Sequence, residues 1–151
     1  MRLSSLKNKL VSSDKLVSSG GIVYRFYGDE IEVVVCCRIE PQSCNLPKGT
    51  PESSETMEET ALREVREETG LKVNIEKYVG EVCYEFFSAK DQVMVEKSVF
   101  YYLMIPVGGS FELHDHEFDD VSWINVDEIN TTLTYQNEVE IVQKGISLVK
   151  R

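Results

Sequence analysis

The sequence predicts one α/β or α+β sandwich domain, in which strands and helices are mixed along the chain rather than segregated. Three observations carry that expectation. Runs such as Ile31–Cys37 and Val99–Met104 are apolar enough to be central strands. Between them lies a glutamate-rich stretch with helical spacing and helix stop signals. The chain then closes on Val139, Val142, Ile146 and Val149, which repeat as one face of a helix.

Element by element, residues 1–16 are polar with scattered leucines and are expected to form an N-terminal arm ahead of a domain over 17–151. Ser18–Phe26 reads as a strand after a glycine pair, Gly28-Asp29 as a turn, and Ile31–Cys37 as the next strand. Pro41 to Pro51 is expected to be loop. The helix that follows has Ser54 as its expected N-cap, Glu55, Glu58 and Glu59 at the positive end of its dipole, and Gly70 as its stop. Leu71–Ile75 and Tyr78–Tyr84 suggest two strands, and Phe86 to Leu103 a hairpin with its tip at Ala89-Lys90-Asp91. Glu117 to Ile124 reads as a short late strand.

With 151 residues, 42% hydrophobic and 28% charged, the chain has the composition of one globular domain with a real core. No apolar run reaches the roughly 20 residues that span a bilayer. The N-terminus has lysines but no apolar h-region, so a signal peptide is not expected and the cytoplasm is the expected compartment. The net charge of −10 disfavours nucleic acid as a partner, which needs a basic footprint. A phosphorylated small molecule stays open, given divalent cations and a few placed Lys or Arg groups. Cys36, Cys37, Cys44 and Cys83 contain no C-x2-C pair, and are read as free structural thiols rather than a zinc site or a disulfide framework.

Residues 49–71 hold seven glutamates. At about 100° per residue, with Glu64 at 0°, Glu67 falls near about 300° and Glu68 near about 40°. Three carboxylates therefore share one face, beside an apolar stripe of Leu62 and Val65. Like charges at these spacings each cost a few tenths of a kcal/mol unless a cation lies among them. A solvated acidic face softened by Arg63 and Arg66 is the plain alternative. Hard oxygens converging on one face are equally what Mg²⁺ or Mn²⁺ prefers.

Gly49, Glu55, Arg63-Glu64-Val65, Glu67-Glu68 and Gly70-Leu71 fill every specified position of G-x5-E-x7-R-E-U-x-E-E-x-G-U, where U is a bulky aliphatic residue. That is the signature of the Nudix hydrolases, and the chain resembles them. The resemblance implies an α/β/α sandwich around a mixed sheet, and hydrolysis of a diphosphate linked to another group. It implies Glu64, Glu67 and Glu68 as ligands of Mg²⁺, with Mn²⁺ as a substitute, and the Gly49 carbonyl as a further ligand. Glu55 and Arg63 would hold loop and helix together by a salt bridge, and Gly70 would serve the backbone. The bound metal would neutralise the phosphate oxygens and acidify an attacking water. A carboxylate must then accept the proton: Glu64 of the box, or Glu117 on the loop before a late strand. Glu112, Asp119 and Asp120 are weaker contenders.

Leu46-Pro47-Lys48-Gly49 sets Lys48 beside the metal loop, and this tetrapeptide resembles relatives acting on dinucleoside polyphosphates or diphosphoinositol phosphates. Glu96 to Met104, with Gly80 to Tyr84 before it, resembles bacterial diadenosine-tetraphosphate hydrolases, with Lys97 and Arg38 as further phosphate contacts. Tyr84, Phe86, Phe87, Tyr101, Tyr102 and Tyr135 are candidates to stack on a base, of which strand alternation must send half to the core. A tyrosine sixteen to eighteen residues past the box marks that subgroup; here those positions are Phe87, Ser88 and Ala89. His114 and His116 are expected to be solvent-exposed.

The expected function is thus Mg²⁺-dependent hydrolysis of a nucleoside polyphosphate, with diadenosine tetraphosphate as leading substrate, by a monomer or homodimer. The rivals are an RNA 5′-end, a diphosphoinositol phosphate or an oxidised nucleotide as substrate. A non-catalytic nucleotide-sensing module is the rival from another class.

Overall fold

A computed structural model describes residues 16–150. The expected arm over 1–16 lies outside the described residues, apart from Leu16, which opens the first strand. The elements are β1 (Leu16–Tyr27), β2 (Glu30–Arg38), β3 (Ser43–Asn45), β4 (Lys48–Gly49), α1 (Met57–Thr69), β5 (Leu71–Ser88), β6 (Val93–Gly109), β7 (Asp120–Asn125), α2 (Ile129–Thr132) and α3 (Gln136–Ser147).

The strands form one mixed sheet in the order β3-β2-β1-β6-β5, with β4 added beside β1 and β7 beside β2. β1 does two jobs along its length. Its first half runs parallel to β6 and antiparallel to β4, and its second half turns at Gly28-Asp29 into an antiparallel hairpin with β2. Alternate side chains feed opposite faces, as the pleat requires. Ile22, Val33, Val35, Tyr101 and Leu103 join α3 residues Val139 and Val142 in one core. Val23, Val34, Cys36, Tyr102 and Met104 join α1 residues Ala61 and Val65 in the other. Covered on both faces, the sheet gives the expected α/β/α sandwich.

Four local expectations are corrected. The helix N-cap is Thr56, not Ser54. Thr56 has extended backbone, its hydroxyl accepts from the Glu59 N–H, and the Glu59 carboxylate accepts from the Thr56 N–H. Ser54, at φ 71°, is in the left-handed region and cannot offer that geometry. Gly70 does end the helix at φ 80°, its N–H bonded to Arg66 O.

The loop over 41–51 contains the two short strands β3 and β4. The two strands expected within 71–84 are one continuous β5, because bulges near Glu76 and Val79 absorb the polar interruption without breaking the ladder to β6.

Finally, Cys37 and Cys44 form a disulfide rather than staying free. Antiparallel β2–β3 pairing sets them directly opposite each other, Cα atoms 4.1 Å apart, a register invisible while β3 is read as loop. Cys36, on the other face, is buried and free, and Cys83 is exposed and free.

Candidate active site

The loop leading into α1 is tied to the helix by one guanidinium. Arg63 donates from Nε to Glu55 Oε2 (2.7 Å) and from Nη2 to Glu55 Oε1 (3.0 Å), a bidentate pair. Nη2 also reaches the Thr50 carbonyl at 2.9 Å, while Nη1 donates to Glu64 Oε2 (3.0 Å) and Glu67 Oε1 (3.1 Å). The hydrogen bond from Arg63 holds the Glu55 carboxyl down at about 2.

The three carboxylates of the shared face have different environments. Glu68 is 2% exposed, and its Oε1 accepts the Lys48 N–H at 3.2 Å. Among the described residues no Lys or Arg ion-pairs with it. Burial, then the charge of Glu117, and further Glu64, push its carboxyl up to about 9. Glu64 is also raised by burial, against the opposing pull of Arg63. Its carboxylate lies across the open face of Gly49, where an added Cβ would sit 2.0 Å from Glu64 Cδ. Glycine is what lets the acid and the loop approach so closely.

Glu67 is turned instead to Arg63 and faces a shallow hollow with Arg66, Gly70 and Leu113. Accordingly, among the described residues no three acidic, imidazole or thiol side chains converge tightly enough to hold a metal ion as they stand. The donor set still fits one. Glu64 and Glu68 are hard-oxygen donors with like-charged Glu117 near them and no cation on Glu68, an imbalance that a divalent cation would correct.

Two clefts meet here. The smaller, about 340 Å³, is lined by Gly49, Glu64, Glu68, Glu117, Lys48 and Lys97. Burial, then the nearby Lys48 charge, lowers the Lys97 ammonium. The larger, about 560 Å³, shares Lys48 and Glu117 and adds Arg38, Tyr84, Phe86 and Tyr135. Arg38 lies over the Phe118 ring, 4.4 Å from its centroid, and reaches Glu117 through Nη2 to Oε2 at 3.4 Å. Of the six aromatic candidates, Tyr101 and Tyr102 are core, Phe87 is exposed away from the cleft lining, and the other three line the larger cleft.

Of the weaker acids, Asp119 accepts the Ile39 N–H at 2.7 Å, holding the loop after β2, and Glu112 lies in a 3-10 turn. His114 and His116 line neither cleft.

Sequence reasoning missed Asn45 and Glu138, both lining the larger cleft and both buried. Glu138 had a signal. On the α3 wheel it falls between Ile141 on one side and Val142 and Val139 on the other, a lone charge in the apolar stripe.

The described residues contain no helix long and apolar enough to cross a membrane. Residues 16–144 match the family model described as NUDIX domain. The MutT4 protein of Mycobacterium tuberculosis is 36% identical over 107 residues, covering 71% of this chain and 42% of that protein. An 8-oxo-(d)GTP phosphatase of Mycolicibacterium smegmatis is 30% identical over 116 residues, covering 77% of this chain and 34% of that enzyme. The chain thus spans less than half the length of either relative. The crystal structure of a C. elegans Ap4A hydrolase binary complex superposes with a TM-score of 0.70 at 19% identity, covering 87% of this chain and 96% of that one. Box, sandwich and family match agree: the chain belongs to the Nudix hydrolase family.

Proposed function

We propose that this domain hydrolyses a pyrophosphate linkage in a nucleoside polyphosphate, with diadenosine tetraphosphate as the leading substrate. The observation that carries the reading is the smaller cleft, where buried Glu68 and partly buried Glu64 line the same space as Glu117 while Lys48 and Lys97 stand on the same walls. Glu68 has no ion-pair partner among the described residues, Glu64 and Glu117 pair with Arg63 and Arg38, and two lysines line the same cleft, an arrangement that suits a metal together with a polyphosphate. Glu64, Glu67 and Glu68 with the Gly49 carbonyl would hold Mg²⁺ or Mn²⁺, which neutralises phosphate oxygens, orients the attacking water and lowers its pKa. Glu67 joins that set only on giving up its bond to Arg63.

The protein's own groups do the rest. Lys97 and Lys48 hold phosphate oxygens, and Arg38 continues the cationic path into the larger cleft. Tyr84, Phe86 and Tyr135 offer a base aromatic surface there. Glu117, half-exposed at the junction of both clefts, takes the proton from the water, and Arg38 orients it. In the alternative assignment Glu64 is the base. Glu55 and Arg63 keep the loop on the helix and touch no substrate.

One second reading has support. The larger cleft is a single aromatic-lined site, and a relative is named for 8-oxo-(d)GTP, so an oxidised nucleoside triphosphate fits the same groups. Product release with Mg²⁺ decides, on a panel of diadenosine tetraphosphate, 8-oxo-dGTP, ADP-ribose and a 5′-triphosphorylated oligonucleotide. The dinucleotide is expected to show the highest kcat/KM. Preference for 8-oxo-dGTP moves the reading to the second substrate. No turnover on any of them, with metal bound, leaves a nucleotide-sensing module.

A further inference from the structure

The segment from Asn45 to Gly49 brings Lys48 and Gly49 to the wall of the smaller cleft, and its backbone is strung between two buried carboxylates. The Leu46 N–H donates to Glu138 Oε1 at 2.8 Å, and Asn45 Nδ2 donates to Glu138 Oε2 at 3.4 Å. The Lys48 N–H donates to Glu68 Oε1 at 3.2 Å. Pro47 has no N–H, and its carbonyl accepts from the Gly21 N–H at 3.2 Å. One acid comes from α3 and the other from α1, helices on opposite faces of the sheet.

Glu138 is 5% exposed and 92 positions from Leu46 in sequence. It does not cap its own helix, whose N-cap Tyr135 makes no side-chain cap bond. Packing alone would be better served by an apolar residue in the middle of that stripe, because a buried carboxylate costs free energy unless its bonds are used. Here both oxygens are used, and both on the loop.

From these contacts we infer that Glu138 is a positioning residue for the hydrolytic site: it latches the Asn45–Gly49 loop so that Lys48 and the Gly49 carbonyl face Glu64 and Glu68. It also joins the two clefts, since it lines the larger one and acts on the wall of the smaller. The kinetic consequence rests on the hydrolytic reading above; the latch does not.

The test has two arms. In the first, kcat/KM is measured for wild type, Glu138→Ala, Lys48→Ala and the double variant. Removing the latch is expected to lower kcat/KM about tenfold or more, and Lys48→Ala then costs less than about a third of its wild-type effect. Fold-losses that multiply would mean that Glu138 only supports the helix, and would overturn the inference.

Glu138→Gln retains an oxygen for the Leu46 N–H, and with the Asn45 amide turned over it is expected within about threefold of wild type. A loss above about tenfold with unchanged melting overturns it as well, and this variant carries the test if the alanine variant does not fold. In the second arm, amide hydrogen exchange is followed. The Leu46 and Lys48 amides are expected to exchange at least about tenfold faster in Glu138→Ala, while those of β5 and β6 do not change. A uniform rise across the chain would overturn the latch. If wild type hydrolyses nothing, the hydrolytic reading fails alone and the exchange arm still judges the latch.

Discussion

Replacing Glu68 by Gln removes one buried charge and keeps an oxygen for the Lys48 N–H. Glu68 has no Lys or Arg ion-pair partner among the described residues, and burial with Glu117 and Glu64 nearby pushes its carboxyl from 4.5 up to about 9. Between those values the native state binds a proton that the unfolded chain has released. Stability of the metal-free protein therefore falls as pH rises through that window. One proton held across about three pH units amounts to about 4 kcal/mol if Glu68 titrates alone. It is about half that if Glu117 swings out to solvent and takes its repulsion away.

The Gln variant lacks this slope. Urea unfolding in a chelator, from about pH 5 to about pH 8, compares the two. The variant is expected to match wild type at the acid end and to exceed it by about 2–4 kcal/mol at the alkaline end. Added Mg²⁺ should raise the wild-type midpoint by mass action and raise that of the variant less. Parallel pH slopes in the two proteins would refute the reasoning.

Three smaller tests follow from the same contacts. Thr56→Ala, which removes the hydroxyl that accepts from the Glu59 N–H and leaves the backbone half of the capping box, should cost about 1 kcal/mol in thermal unfolding. Ser54→Gly should cost nothing, because Ser54 already sits at φ 71°. Glu55 is held down at about 2, so the stability it contributes is complete above 4.5 and is lost as pH falls towards 2. Glu55→Gln should therefore lie below wild type at neutral pH and converge with it in acid; a constant gap in the melting series would contradict the pairing. Thiol titration in denaturant should count two reactive cysteines without reductant and four after reduction. Four without reductant would remove the Cys37–Cys44 bond.

The sandwich was legible because its signals are local and redundant. Val33, Val34, Val35 and Cys36 read as a strand whichever neighbour they meet, and they do fill both cores alternately. The box was legible for the same reason, since Glu64 and Glu68 are one helical turn apart and share a face in any helix. Whatever depends on long-range pairing was not legible. Cys37 meets Cys44 only through a three-residue strand that composition reads as loop. Glu138 meets Leu46 only once α3 has docked across the sheet, although its charge within an apolar stripe was visible in advance. Thr56 and Ser54 are equally good caps by residue type, and backbone geometry alone separates them. Spacing also puts Glu67 on the shared face, whereas its partner is decided by Arg63, a fork with more acids around it than it can satisfy equally.

The measurement closest to the central claim takes wild type and Glu67→Gln side by side, titrating Mn²⁺ by electron paramagnetic resonance and assaying diadenosine tetraphosphate turnover in the same samples. The account predicts that the variant melts like wild type, binds Mn²⁺ more weakly, and loses most turnover. Full turnover in Glu67→Gln, with wild-type Mn²⁺ binding, would contradict it: Glu67 would then belong to Arg63 alone, and the metal-bearing face would need another set of ligands.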